Sequence, residues 1–148
     1  MDHRKQAAEY FESGYNCAQA VAAAFSDLTG FAPEQSAKMV SAFGGGMGRM
    51  REVCGAVSGM FFVLGTLYGY DHPDPEAQKA LYALIQEMGG KFREEAGSII
   101  CRELLKNPPS DPKPTPRTEE FYKGRPCTRF VVLAASLLDE YITEKNQN

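Results

Sequence analysis

Apolar residues recur every three or four positions along most of the chain, which places them on one face of an α-helix. Val21, Phe25 and Leu28 have this spacing, and so do the side chains at 81, 84, 85 and 88. The stretch "RFVVLAA" at 129–135 would also suit a strand, but a lone short strand has no partner here. The pattern therefore predicts an all-α fold.

Start and stop signals divide the first half of the chain into helices. Residues 3–13 form a helix that stops at Ser13–Gly14, and Asn16 is the N-cap of a second helix that Gly30 ends. Pro33 opens a third helix over 33–43. Glycines between residues 44 and 48 then break the chain, and a long apolar helix is expected to begin between residues 49 and 52.

The second half holds three more predicted helices. One covers residues 76–97, with Gly89–Gly90 as a candidate kink, and a short one covers 98–106 with Ser98 as its cap. The last helix opens with Pro126. Prolines at 108, 109, 112, 114 and 116 exclude a helix over 107–118. We therefore expect a single domain over 1–148, a bundle of six to seven helices with a proline-rich loop at 107–118.

Composition and charge argue against several classes of protein. A net charge of −3 offers no basic field for nucleic acid. The charged N-terminus lacks the apolar stretch of a secretory signal, so we predict a cytoplasmic protein. The segment Val53–Tyr70 is uncharged, but its glycines make it only moderately apolar. It is expected to be a buried helix rather than a membrane span. The glycine faces and the apolar last helix suit a homodimer and a monomer's core equally well.

The chain has four cysteines, Cys17, Cys54, Cys101 and Cys127. There is no CxxC pair and no CxxCH haem motif, and the only histidines are His3, near the N-terminus, and His72, in a predicted turn. These spacings exclude a thioredoxin-type motif, a zinc ribbon and a histidine-rich metal site. Any site must be assembled by the fold from distant cysteines.

Each cysteine lies near a predicted helix start, where backbone amides and the helix dipole favour a thiolate. Several arginines lie close in sequence: Arg49, Arg51, Arg102, Arg125 and Arg129. Both effects predict lowered thiol pKa values. Buried free cysteines are also common as small apolar residues, but the shared position of all four favours reactive or metal-binding thiols.

The glycine-rich stretch "GGGMGR" precedes Cys54. It lacks the spacing of a phosphate-binding loop, and a tight connection between helices explains it more simply. A second interpretation keeps it in the site, with the backbone at Gly45, Gly46, Gly48 and Gly55 placed around an anion or a cofactor such as a cluster sulfide.

Four segments resemble a known family: "GYNCAQAV", "CGAVSGMFFVLG", "FREEAGSIICRELL" and "PCTRFVVLAASLL". Together they are similar to the C_GCAxxG_C_C family of redox-active proteins over about residues 5 to 142. Cys54, Gly55, Ala56 and Gly59 carry the CGAxxG element, although Val53 replaces the glycine that precedes it in the family's name. The family is similar to the non-haem part of split-Soret-type cytochromes, which implies an iron–sulfur cluster.

Two kinds of function remain open from the sequence. The first is a redox or electron-transfer protein whose four cysteines either bind an iron–sulfur cluster or other metal, or form a reversible disulfide with Cys54 as nucleophile and Cys17 or Cys127 as its partner. Its partner would be a redox protein or a small electron donor or acceptor. The alternatives are a structural zinc site and a helical interaction protein. If residues 107–118 cover the thiols, their removal should speed alkylation of Cys54 or Cys127.

Overall fold

The computed structural model describes residues 2–124 and 126–147, and it confirms the all-α prediction. Within these residues the chain forms ten α-helices, one 3₁₀ helix at Ser41–Phe43 and no strand. The helices are α1 (His3–Glu12), α2 (Cys17–Ala24), α3 (Ser26–Thr29), α4 (Pro33–Met39), α5 (Gly44–Met47), α6 (Gly55–Tyr68), α7 (Pro75–Ala96), α8 (Cys101–Leu104), α9 (Glu119–Gly124) and α10 (Cys127–Gln147). The predicted number of six to seven was too low, because α3, α5 and α9 are short additional helices.

Local signals set several helix ends as predicted. Asn16 caps α2 through a capping box, in which its side chain accepts from the backbone of Gln19 while the Gln19 side chain accepts from the backbone of Asn16. Pro33 opens α4, and Gly30 follows α3 in the left-handed conformation. The α7 helix runs through Gly89–Gly90 to Ala96 without a break.

Two predicted helix starts were wrong. The apolar helix α6 begins at Gly55 and not between residues 49 and 52, and α8 begins at Cys101. Ser98 does not cap α8; its hydroxyl accepts from the Ile100 amide in the turn before the helix. The residues that precede α6 and α8 are extended because they pair with each other, with an antiparallel bridge between Val53 and Ile100.

The core is built around the crossing of α2 and α6, which small residues allow to be close. A Cβ atom on Gly59 would lie 2.8 Å from the Ala18 carbonyl oxygen, and one on Gly55 would lie 3.1 Å from the Ala18 nitrogen. Since neither glycine has a side chain, the two backbones approach directly. The α6 residues Val57, Met60 and Leu64 are fully buried around this crossing.

His3 ties the N-terminus to two other helices. Its imidazole is buried and stacks on Phe25 with ring centroids 4.1 Å apart. One ring nitrogen lies 2.6 Å from the Asp139 carboxylate and the other 2.9 Å from that of Asp27. These contacts join α1 to α3 and α10.

Across the described part of the chain, no helix combines the length and apolarity that crossing a membrane requires.

Candidate functional site

The four cysteines mark the starts of four different helices, as the sequence predicted. Cys17, Cys101 and Cys127 are the first residues of α2, α8 and α10, and Cys54 is the N-cap of α6. All four line one cavity of about 350 Å³. The fold thus brings together thiols that are 26 or more positions apart in the sequence.

Backbone pairing places Cys54 beside Cys101. The Cys54 amide donates to the Ile99 carbonyl at 2.8 Å, and the Cys101 amide donates to the Glu52 carbonyl at 2.6 Å. The pairing continues with the Arg102 amide, which donates to the Arg51 carbonyl at 3.1 Å. Because these bonds flank the Val53–Ile100 bridge, the starts of α6 and α8 are held at the same edge of the cavity.

The close crossing of α2 and α6 places Cys17 on the adjacent wall. A Cβ on Gly55 would lie 3.1 Å from the Cys17 Cβ, so the residue next to Cys54 directly contacts the start of α2. This contact gives the CGAxxG element a structural role. Its two glycines let α6 pack on α2, and its cysteine faces the cavity that the packing creates.

Cys127 is the neighbour that acts most strongly on the Cys17 thiol. Their thiols share a hydrogen bond, and this bond and burial together raise the pKa of Cys17 well above its ordinary value. The charge of Arg117 acts in the opposite direction, but more weakly. Both cysteines are only half-buried. The Cys17 thiol therefore keeps its proton, and its hydrogen-bond partner is the sulfur of Cys127.

Burial also raises the pKa of Cys54, to about 12. The backbone amides of Ala56 and Val57, in the first turn of α6, favour the thiolate but do not offset the desolvation. The prediction that helix starts and arginines lower the thiol pKa is therefore wrong for Cys17 and Cys54. Cys54 is also not the low-pKa nucleophile that the sequence suggested.

The guanidinium group of Arg51 lies beside a cysteine sulfur. It is buried, and its Nη1 lies 3.7 Å from the Cys101 Sγ. Arg102, the sequence neighbour of Cys101, instead turns outward and forms a double hydrogen bond with Glu52, which lowers the pKa of that carboxyl. Arg129 is exposed and donates to the Glu95 carbonyl, while Arg125 lies outside the described residues.

Residues 44–51, here called the glycine loop, have an unusual backbone. Five consecutive residues from Gly45 to Arg49 have positive φ, and Arg51 follows at φ +62°. The non-glycine residues Met47, Arg49 and Arg51 each cost about 1–2 kcal/mol in this conformation. The loop is held by backbone bonds, including one of 2.8 Å from the Glu52 amide to the Gly46 carbonyl.

The four glycines predicted to border a cofactor all line the cavity. Gly46 is the most constrained of them, because a Cβ there would lie 2.6 Å from the Cys101 Cβ and 2.8 Å from the Arg51 Cα. Gly45 and Gly48 have left-handed backbone, and Gly55 contacts α2. Their binding of a cofactor stays a prediction.

Residues 107–118, here called the proline segment, border the cavity opposite the helices. Pro112, Pro114 and Thr115 line it. Two arginines of the glycine loop hold the segment: Arg49 donates to the Asp111 carbonyl and to the Thr115 hydroxyl, the latter at 2.7 Å, and Arg51 Nε donates to the Pro109 carbonyl at 2.8 Å. The effect of its removal on alkylation stays a prediction.

Arg117 is a site residue that the sequence reasoning missed. It lines the cavity from the proline segment, donates to the Phe11 and Tyr15 carbonyls, and lies over the Phe11 ring at 4.5 Å. An isolated basic residue in a proline-rich stretch gave no signal of this role, because its partners are about 100 positions away.

The residue types that line the cavity are those that bind iron–sulfur clusters. Such clusters bind four cysteine thiolates, and positive charge and hydrogen-bond donors beside the sulfurs set their potential. The cavity supplies four cysteines, together with the guanidinium groups of Arg49, Arg51 and Arg117. Within residues 2–124 and 126–147, no three His, Cys, Asp or Glu side chains are arranged to hold a single metal ion.

Comparison with known proteins identifies the family. The family model described as "Putative redox-active protein (C_GCAxxG_C_C)" matches residues 15–141, which include all four cysteines. No curated protein and no solved structure matches the chain. The protein therefore belongs to the C_GCAxxG_C_C redox-active family.

Proposed function

We propose that this member of the C_GCAxxG_C_C family is a thiol-based redox protein in which Cys17 and Cys127 form a reversible disulfide. The observation that carries the proposal is the hydrogen bond between the two thiols at the starts of α2 and α10. Cysteines that start two packed helices and interact through their side chains are placed to form a disulfide, and both line a cavity that can admit an acceptor.

The roles of the two cysteines follow from their shared proton. Cys17 keeps its proton because it donates to Cys127 and is desolvated, so Cys127 is the attacking sulfur. Its attack on a disulfide acceptor breaks the acceptor's S–S bond, releases one thiolate and leaves a mixed disulfide on Cys127. Cys17 then loses its proton and attacks the Cys127 sulfur, which releases the second thiolate.

The step is balanced. Two protein thiols are oxidised to one disulfide, and the acceptor disulfide is reduced to two thiols that carry the two protons. The reverse reaction takes two electrons from two donor thiols, which become a disulfide, and returns the protein to its dithiol form. Cys54 and Cys101 take no covalent part in this reaction; the sulfur of Cys101 instead faces the buried Arg51 guanidinium.

A second candidate is an electron carrier in which all four cysteines bind an iron–sulfur cluster. One observation favours it: the four thiols share a single cavity with three arginines. A reaction of two cysteines would not require the other two thiols or this number of arginines. Bound there, the cluster would supply one-electron transfer. Arg51 would then offset negative charge on the Cys101 side.

One experiment separates the two candidates. The protein is purified anaerobically, and its absorption spectrum, metal content and free-thiol count are measured before and after mild oxidation. A colourless protein whose thiol count falls from four to two, with Cys17 and Cys127 joined in its peptide map, supports the disulfide. Bound iron with visible absorption supports the cluster, and zinc without colour would make the site structural.

Serine variants of each cysteine provide the matched controls. If the disulfide proposal holds, Cys17→Ser and Cys127→Ser abolish the loss of two thiols, whereas Cys54→Ser and Cys101→Ser retain it. A cluster would be lost or weakened in all four variants. Four free thiols that resist oxidation in a native protein without bound metal would overturn both candidates.

A further inference from the structure

Arg51 is a buried cation with an unused donor that borders the cavity. Only 4% of the residue is exposed, and it lines the cavity with the four cysteines. Its Nε donates to the Pro109 carbonyl and its Nη1 lies 3.7 Å from the Cys101 Sγ. Its Nη2 is buried and has no hydrogen-bond partner among the described residues.

The other two arginines of the cavity already have protein partners. Arg49 pairs with the Asp111 carboxylate at 3.2 Å, and Arg117 donates to two backbone carbonyls. The lining residues in the described part of the chain include no Asp and no Glu. Arg51 therefore places a positive charge at the cavity without a carboxylate to balance it. A buried charge of this kind is costly unless an anion pairs with it.

The shape and lining of the cavity indicate which anion fits. A volume of about 350 Å³ is at the small end of ligand sites, and Phe11, Leu104 and Phe130 make part of the lining apolar. The one free guanidinium nitrogen can pair with a singly charged carboxylate, whereas a phosphate carries more charge and acceptor oxygens than this nitrogen can satisfy. The four cysteines that line the same cavity provide sulfur chemistry.

We propose that the redox substrate of the Cys17–Cys127 pair is a small thiol or disulfide that carries a carboxylate, and that Arg51 binds this carboxylate. The inference rests on the proposed function, because it names the redox substrate of that reaction. The carboxylate balances the charge of Arg51, and the apolar walls contact the chain that joins it to sulfur. In the oxidised protein, a substrate thiolate attacks one sulfur of the Cys17–Cys127 disulfide, which forms a mixed disulfide and releases the other protein thiolate. A second substrate thiolate attacks the substrate sulfur of the mixed disulfide, which gives the substrate disulfide and releases the second protein thiolate; both protein thiolates then take up protons.

The test compares two thiols of the same length as reductants of the full-length oxidised protein. These are 3-mercaptopropionate and 3-mercaptopropanol, used at equal thiolate concentrations, with the return of protein thiols followed over time. We expect 3-mercaptopropionate to react roughly tenfold to a hundredfold faster at low concentration and to saturate, as one charge-assisted pair at a buried site predicts. Butyrate should compete with it, whereas neutral butyramide should not.

Three variants localise the effect. In Arg51→Gln the preference for the carboxylate should fall to about one, and in Arg51→Lys it should be partly retained, since charge remains but the planar fork is lost. Arg102→Gln removes an exposed cation that does not line the cavity, and should keep the preference.

The outcomes separate this inference from the proposed function. If no Cys17–Cys127 disulfide forms, the proposed function fails before the comparison is reached. If the disulfide forms but the wild-type protein reacts equally fast with both thiols, the carboxylate inference is overturned and the disulfide proposal stands. The wild-type comparison is decisive even if an Arg51 variant does not fold. A preference that phosphate abolishes but butyrate does not would also overturn the carboxylate assignment.

Discussion

Two contacts border the cavity, and they are built differently. The crossing of α2 and α6 is a direct approach of two backbones, with Gly55 and Gly59 packed on Ala18. The contact between the glycine loop and the proline segment depends instead on Arg49 and Arg51, which reach across to carbonyl and hydroxyl oxygens. The first contact excludes even a methyl group, whereas the second consists of a few polar bonds.

The difference indicates which wall of the cavity is fixed and which can move. Tight apolar packing tolerates little change in volume, while a few hydrogen bonds contribute little net stability and reform readily. Cys17 and Cys54 lie at the α2–α6 crossing and keep their positions. A substrate that enters the cavity needs to displace only the proline segment. Three predictions test this comparison.

The largest expected effect comes from Gly59→Ala. The new Cβ would lie 2.8 Å from the Ala18 oxygen and 3.0 Å from the Val21 Cβ, so α2 and α6 must separate. We expect the free energy of unfolding to fall by about 1–3 kcal/mol in chemical denaturation. Gly65→Ala is the matched control in the same helix, because its Cβ would contact nothing within 4 Å. It should gain roughly 0.5–1 kcal/mol. Equal effects of the two substitutions would refute the close-packed crossing.

The second effect is a loss of stability at high pH caused by Cys54. Its pKa is raised to about 12 in the folded protein, whereas the unfolded thiol ionises near pH 8.5. Between these values the unfolded state binds fewer protons than the native state, so stability falls as pH rises, by about 1.4 kcal/mol per pH unit from this group.

The measurement compares unfolding of the reduced wild-type protein with that of Cys54→Ala between pH 8 and pH 10. The variant should lose part of the pH slope, because tyrosines, lysines and Cys17 still titrate in both proteins. An identical slope would mean that the Cys54 thiol is not desolvated at the α2–α6 crossing.

The smallest effect on stability is expected at the polar contact. Arg49→Gln removes the bonds to Asp111 and Thr115, at a cost of no more than about 1 kcal/mol. The proline segment should then open more often, and alkylation of Cys127 should become several-fold faster in native protein. The control Lys113→Gln removes a cation from the same segment without a bond to the glycine loop. Similar alkylation rates in both variants and wild type would mean that the segment does not control access.

Sequence reasoning succeeded where the cause is local. Asn16 and Pro33 set helix starts through their own backbone and side-chain chemistry, and the prolines of 107–118 exclude a helix without reference to the rest of the fold. The helix starts at Cys17 and Cys127 follow from the same local signals, whereas those at Cys54 and Cys101 were misplaced. The common cavity does not, because it depends on contacts between distant segments.

The errors come from interactions that connect those segments. The start of α6 was placed too early because residues 51–54 pair with 99–102, which no local pattern indicates. That pairing also brings Arg51, rather than the adjacent Arg102, to the Cys101 sulfur. The thiol pKa values were predicted in the wrong direction because desolvation depends on burial, and burial depends on the whole fold.

The left-handed backbone at Arg49 and Arg51 has a consequence for protein engineering. Glycine would relieve the strain at both positions, so a screen for heat resistance alone would tend to select it there. The resulting proteins would melt at a higher temperature, but they would lack the two side chains that hold the proline segment and place charge beside Cys101. At positions 49 and 51, a glycine variant is therefore expected to be more stable but to hold the proline segment less well and to lack the charge beside Cys101.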